Sequence, residues 1–264
     1  MRKQWKLVVG MVVGMGLTSG AAFGGTIIDL TTVGSSGTVN GGYFLQTSPQ
    51  PTGTGYFNPF VRIQNTGTEK GYNTDARPVQ FDTKDENQWT HSIRLSDVST
   101  TRYKGKDYRV FLLDINEGGN TTLSKLSLDQ VQIFVSNTSG SLNNYPNLGT
   151  LVWQLDTPTA DNRVELNYKL NHGSGSGDMF LYVPVSAFTG YTNPYVYLYS
   201  EFGTPNGSDA GFEEWSSKGP VVAAITPVPL PTTAMGAFVL LAAWVGGRRM
   251  SFSRGHALSP AQLR

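Results

Sequence analysis

The chain has 264 residues, of which 39% are hydrophobic and 15% charged, with 31 glycines, 14 prolines, no cysteine and a formal charge of +1. Lack of cysteine excludes disulfides, thiol nucleophiles and thiolate metal sites. A mean hydropathy of −0.22, with one short apolar segment at each end, excludes a polytopic membrane protein.

The start reads Met1-Arg2-Lys3-Gln4-Trp5-Lys6, then runs uncharged from Leu7 to Leu17, then turns to the small residues Ser19, Gly20, Ala21 and Ala22. A basic head, a short apolar stretch and a small-residue zone predict a secretory signal helix over 1–25, handed to the Sec translocon and cut between Ala21 and Gly25. Eleven apolar residues reach only about 17 Å as a helix, too short to anchor the chain. Between the basic ends the chain holds 13 bases against 19 acids. An acidic middle without Lys/Arg clusters argues against a nucleic-acid partner.

From Thr26 to about 226, short runs alternate apolar with polar residues and favour Val, Ile, Tyr, Phe and Thr, which is the signature of strands. The runs lie near 26–31, 38–46, 56–63, 77–82, 89–96, 107–115, 129–135, 150–155, 163–170, 178–184, 195–202 and 220–225. Turn clusters such as Gly34-Ser35-Ser36-Gly37 and Gly173-Ser174-Gly175-Ser176-Gly177 separate them. One short helical candidate, Ser124 to Asp129, has room for a turn or two. No linker splits the runs, so 26–226 is expected to be one all-β domain, a jelly-roll-like β-sandwich of two sheets.

Chemistry is sparse in this body. The three histidines, His91, His172 and His256, form no cluster, so zinc is not expected, and no nucleophile elbow, phosphate loop or dinucleotide fingerprint occurs. His91 is expected on the inner face of a strand with Trp89, Ile93 and Leu95. Asp114, Asn116 and Glu117, with Asp129 opening the next strand, supply the hard oxygen ligands that calcium takes. The plainer and preferred reading is that Asp114 and Asn116 end a strand and satisfy turn amides. Glu213 and Glu214, adjacent on a strand, must point to opposite faces, one of them meeting a base such as Lys218. Tyr195, Tyr197 and Tyr199 share one face, which is read as sandwich interior in preference to a sugar-stacking platform.

At the other end Val228-Pro229-Leu230-Pro231 precedes an apolar stretch, Ala234 to Gly247, that Arg248-Arg249 terminates. Two prolines within three residues keep a helix from starting earlier. The 14 apolar residues span about 21 Å of the roughly 30 Å hydrocarbon core, and the arginines stay cytoplasmic. Prolines, a marginal hydrophobic helix and a basic stop describe a sorting signal over 227–264 that holds the protein at the membrane until an enzyme cuts outside it; a permanent single-pass anchor or a buried C-terminal helix is the plainer alternative.

This three-part tail resembles the PEP-CTERM sorting signals of Gram-negative bacteria in their VPLP-type variant, which membrane transpeptidases called exosortases recognise. Leu230 stands where the commoner form has Glu, and residues 250–264 extend past the arginines. Stretches of the body, among them Gly71-Tyr72-Asn73-Thr74-Asp75, Phe111-Leu112-Leu113-Asp114-Ile115-Asn116-Glu117 and Gly211-Phe212-Glu213-Glu214-Trp215, are similar to exported proteins that carry such tails. The resemblance implies export and brings no catalytic residue, since the group has no defined activity. The preferred reading is a non-catalytic protein of the cell surface or of an extracellular, exopolysaccharide-associated biofilm matrix. A calcium- or carbohydrate-binding module is the alternative, and a glycan hydrolase the third reading.

Overall fold

Alternation along the body becomes sixteen strands, with no α-helix, among the residues that the computed structural model describes: 24–46, 57–120, 123–175, 177–209 and 211–217. The signal segment, the run at 220–225 and the sorting tail lie outside the described residues. Among the described residues no helix is long and apolar enough to cross a membrane.

The strands are β1 (Ile27–Asp29), β2 (Ser36–Val39), β3 (Gly42–Gln46), β4 (Pro59–Ile63), β5 (Thr66–Gly67), β6 (Glu69–Tyr72), β7 (Ile93–Arg94) and β8 (Thr100–Tyr103). They continue as β9 (Lys106–Asp114), β10 (Lys125–Ser136), β11 (Thr150–Gln154), β12 (Arg163–Asn167), β13 (Met179–Pro184), β14 (Tyr195–Phe202), β15 (Ser208–Asp209) and β16 (Glu213–Ser216). One sheet runs β1-β12-β10-β14-β6, with β11 beside β10 and β7 beside β14; the second runs β2-β3-β13-β9-β16-β4, with β8 beside β9. A two-stranded ribbon joins β5 to β15. The pairings are antiparallel except β1 with β12.

Both sheets turn one face to a shared core. Phe111, Leu113 and Trp215 reach it from the second sheet, and Leu128, Val196, Leu198 and Phe202 from the first. The two layers are pinned by a buried bond, Trp215 Nε1–H to Ser200 Oγ at 3.1 Å. Tight hairpins fix register at the sheet edge, because Asn40-Gly41 and Lys104-Gly105 adopt left-handed φ of 50° and 76°, and 47° and 80°. That pair of angles is the two-residue turn whose twist matches its strands, and glycine takes it without penalty at the second position.

The outward faces are apolar as well, which corrects the expectation for the tyrosines. Val196 and Leu198 enter the shared core, so Tyr197 and Tyr199 face the other way and are buried with Tyr72, Phe134 and Leu148 in a separate cluster on the outer face of the first sheet. Tyr145 stacks on Tyr199 with ring centroids 4.2 Å apart. Tyr197 donates its hydroxyl to Ser139 O at 2.6 Å and accepts Leu142 N–H at 3.0 Å, so the 137–149 connection covers this face.

Three further expectations change. Ser124–Asp129 opens β10 instead of a helix, since Lys125 and Leu126 pair with Asn167 and Leu166 of β12. The run at 77–82 is loop, because Arg77 donates from its guanidinium to the carbonyls of Thr74, Ala76, Asp85 and Thr90 and so folds the segment onto itself. Of 89–96 only Ile93–Arg94 pairs with β14, while the amides of Trp89 and Thr90 are taken by Glu86 O in a turn.

Asn73 closes the gap that this loop leaves beside β14. Its Oδ1 accepts Leu198 N–H at 2.7 Å and its Nδ2 donates to Val196 O at 2.8 Å, both buried. Replacing it removes partners from two buried backbone groups, each worth roughly 1–3 kcal/mol when orphaned. Asn73→Ala is expected to lower stability by about 2–4 kcal/mol in urea unfolding.

Candidate functional site

Burial of acids in this body is unusual, and β9 and β16 carry half of the six buried ones among the described residues. Asp114 ends β9 on the outer face of the second sheet and is fully buried. Its Oδ2 accepts Gly175 N–H at 2.5 Å, so the turn at Gly175 lies over it. Asp178, just before β13, accepts Ile115 N–H at 2.9 Å through Oδ2. The remaining oxygen of each has no hydrogen-bond partner. Burial pushes Asp114 up to about 7 against the help of the Gly175 amide, and pushes Asp178 well above the carboxylate range. Asn116 lies beside Asp114 and donates from Nδ2 to Phe212 O at 3.2 Å.

The opposite-face expectation for Glu213 and Glu214 holds. Glu214 pairs in register with Asp114 and points outward, where Arg62 meets its Oε1 at 2.6 Å. The Arg62 guanidinium also lies 3.5 Å from the Trp89 ring and 4.3 Å from Phe212. Arg62, rather than Lys218, is therefore the base that Glu214 finds; Lys218 lies outside the described residues. Glu213 turns inward with Trp215, opposite Ile63 of β4. There it meets Glu69, which opens β6 in register with the core residue Phe202, and Glu117 from the β9–β10 connection.

In this second group Glu69 Oε2 accepts Asn65 N–H at 2.6 Å and Glu117 Oε2 accepts Asp209 N–H at 2.9 Å. Oε1 of each, and both oxygens of Glu213, have no donor. Relative exposures are 1% for Glu69, 6% for Glu117 and 0% for Glu213. Desolvation raises all three, Glu117 to about 8.

Asp129 stands apart on the first sheet. It is the extra residue of a bulge where β10 passes from Leu128↔Phe202 to Gln130↔Glu201, and a bulge re-aims the side chain it carries. Its Oδ2 accepts Thr204 N–H at 2.8 Å, its Oδ1 has no partner, and burial with Glu201 and Glu165 nearby raises it to about 7. The four residues read as one calcium set thus occupy three environments: Asp114 and Asn116 with Asp178, Glu117 with Glu213, and Asp129 by itself.

No protein-family model, curated protein or solved structure matches this chain. Its chemistry must be read from its own side chains. Among the described residues no three His, Cys, Asp or Glu stand as a ready-made metal-ligating group. His172 contacts the Tyr168 ring edge-on at 5.3 Å, and His91 lines a small hollow of about 170 Å³ with Asn58, Phe60 and Ser92, off any regular strand. A surface hollow of about 250 Å³ brings Asp29 and Glu165 together with Lys125, Arg163 and Asn206. Thr31 donates twice to Asp29 and holds it below the carboxylate range, so Asp29 has no proton to give as a general acid. Glu165 is tied up by Arg163 Nε at 2.7 Å and Ser127 Oγ at 3.0 Å.

Proposed function

We propose that the chain is an exported, non-catalytic protein of the cell surface or extracellular matrix, carried by the Sec translocon and released from the inner membrane by an exosortase-like transpeptidase. The observation that carries this reading is the tail: Val228, Pro229, Leu230 and Pro231, an apolar stretch, then Arg248 and Arg249, in a chain that opens with a basic and apolar segment. A cysteine-free body suits an exported cargo that folds on its apolar core alone. The jelly-roll arrangement is supported by the alternation of β12, β13, β14 and β16 between the two sheets.

A mass measurement on secreted protein tests the sorting. In a host with the matching transpeptidase the new C-terminus is expected between Pro229 and Thr233, and in a host without it the chain is expected to stay in the membrane fraction. Secreted protein that still ends at Arg264 would refute the reading.

A carbohydrate-binding role is favoured by one surface. Tyr43 and Tyr103 stack at 4.9 Å on the outer face of the second sheet, both half-buried, with Lys104 Nζ 5.3 and 5.1 Å from their rings. Flat, partly exposed rings beside a cation suit an acidic exopolysaccharide.

A further inference from the structure

Glu69, Glu117 and Glu213 come from widely separated parts of the chain and meet at one end of the interior, between the two sheets. Glu213 is the decisive one. It is fully buried, it stands where an apolar residue would close the core between Ile63 and Trp215, and neither of its oxygens has a donor. Glu69 and Glu117 each spend one oxygen on a backbone amide and turn the other, also without a donor, toward the group. Four oxygens without an outside donor therefore come together, with only the neighbouring carboxyls as partners.

The charges around them do not balance this. Glu69 feels Lys84, but also Asp82; Glu117 feels Asp209; Glu213 feels Glu69 and Glu117. Ionised carboxylates out of water cost several kcal/mol each unless a counter-charge compensates them. Shared protons or a cation can supply it. The donor set is all oxygen, with no imidazole or thiolate, which selects hard cations over zinc or copper.

We propose that Glu69, Glu117 and Glu213 hold a hard divalent cation of the calcium class, which ties the first sheet to the second at this end of the core. Calcium tolerates irregular sets of six to eight oxygens at about 2.3–2.6 Å, so Asp209 and water can complete the shell, whereas magnesium demands a near-ideal octahedron. Glu213 contacts both Glu69 and Glu117, so the three carboxyls stand in a row with Glu213 in the middle, and gathering them on one ion requires the outer two side chains to turn toward it. The competing account is a row that shares protons and binds no metal. Neither account depends on the export reading.

Thermal unfolding of the chelator-treated full chain at pH 7.5, with calcium from zero to 10 mM, separates the two. Bound cation stabilises the folded form by mass action, so at about 100 times the dissociation constant the melting temperature is expected to rise by about 5–10 °C. Glu213→Gln keeps the shape, removes the charge and is expected to abolish the rise. Glu117→Gln, in a connection and not a strand, is expected to weaken calcium at least tenfold in titration calorimetry, from a wild-type stoichiometry of one. A wild-type melting temperature flat to 10 mM calcium overturns the proposal. So does a rise that survives Glu213→Gln but disappears in Asp178→Asn, which would move the ion to the other acidic group.

Discussion

Raising the pH from 5 to 8 in the presence of chelator is expected to lower the melting temperature by about 10 °C or more. Most proteins lose stability toward acid because their carboxylates are paired; here several are buried and short of donors. From an ordinary value of 3.8, Asp114 and Asp129 are raised to about 7, Asp156 to about 6 and Asp178 well above that starting value, each chiefly by desolvation. Between pH 4 and 7 the folded chain holds protons that the unfolded chain has released. Each rise in pH across that window therefore favours unfolding. The stabilising contribution is complete below about 4 and is lost as the pH climbs through 7. Between pH 5 and 8 the fully buried Asp114 loses about 3 kcal/mol at most, two pH units at about 1.4 kcal/mol each, while Asp129 and Asp156, nearer solvent, count for less. Asp29 works the other way but lies at the surface, where its hydrogen-bonded charge matters little. At about 2–4 °C per kcal/mol the sum exceeds 10 °C. Asp114→Asn keeps an acceptor for the Gly175 amide and should flatten the profile. A melting temperature that climbs between pH 5 and 8 would show these carboxyls to be ionised and compensated.

The long alternating runs were readable because nothing competes with period two over eight or more residues. The run at 195–202 is β14, and the one at 107–115 is β9 displaced by a single residue. The run at 163–170 stops at Asn167 because that side chain accepts the Lys169 amide and turns the chain into a 3₁₀ helix. Asn40-Gly41 was a legible hairpin signal inside the run at 38–46, and it divides that run into β2 and β3. β6, which reads Glu-Lys-Gly-Tyr, was not legible as a strand, and β16, Glu-Glu-Trp-Ser, fell outside the alternating runs although its two glutamates were read as strand neighbours, since buried charge imitates a surface loop.

The site divides along the same line. That Glu213 and Glu214 take opposite faces follows from pleat geometry alone, and placing Trp215 inside puts Glu213 beside it. That residues 69, 117 and 213 converge depends on which strands become neighbours, and no spacing in a single chain encodes it. The tyrosines of β14 show the reverse problem. Their shared face was readable, but both faces of the strand are apolar, and only the 137–149 connection decides that the tyrosine face lies outside the shared core.

Trp215→Ala is expected to cost about 4 kcal/mol and to lower the melting temperature by about 8–16 °C. Trp215 is among the largest fully buried side chains and touches both layers, through the shared core and through its bond to Ser200. Truncation removes transfer free energy and leaves a cavity between two sheets whose backbones are held by their own ladders, so collapse is limited. Loss of the indole N–H also leaves the buried Ser200 Oγ without that donor, which adds to the cost. Trp215→Phe keeps most of the volume and should cost about half as much. Glu213 supplies the sharper check, since it projects from the same face two residues away. A cavity at 215 lets water reach that carboxyl and returns part of its lost hydration, so in chelator at pH 8 the truncation should cost more in a Glu213→Gln background than in the wild type. A coupling of about 0.5–3 kcal/mol is the range for side chains that share one space. Strict additivity would mean that Glu213 and Trp215 do not share one desolvated pocket, and the counter-charge argument for the acids at this end would lose its basis.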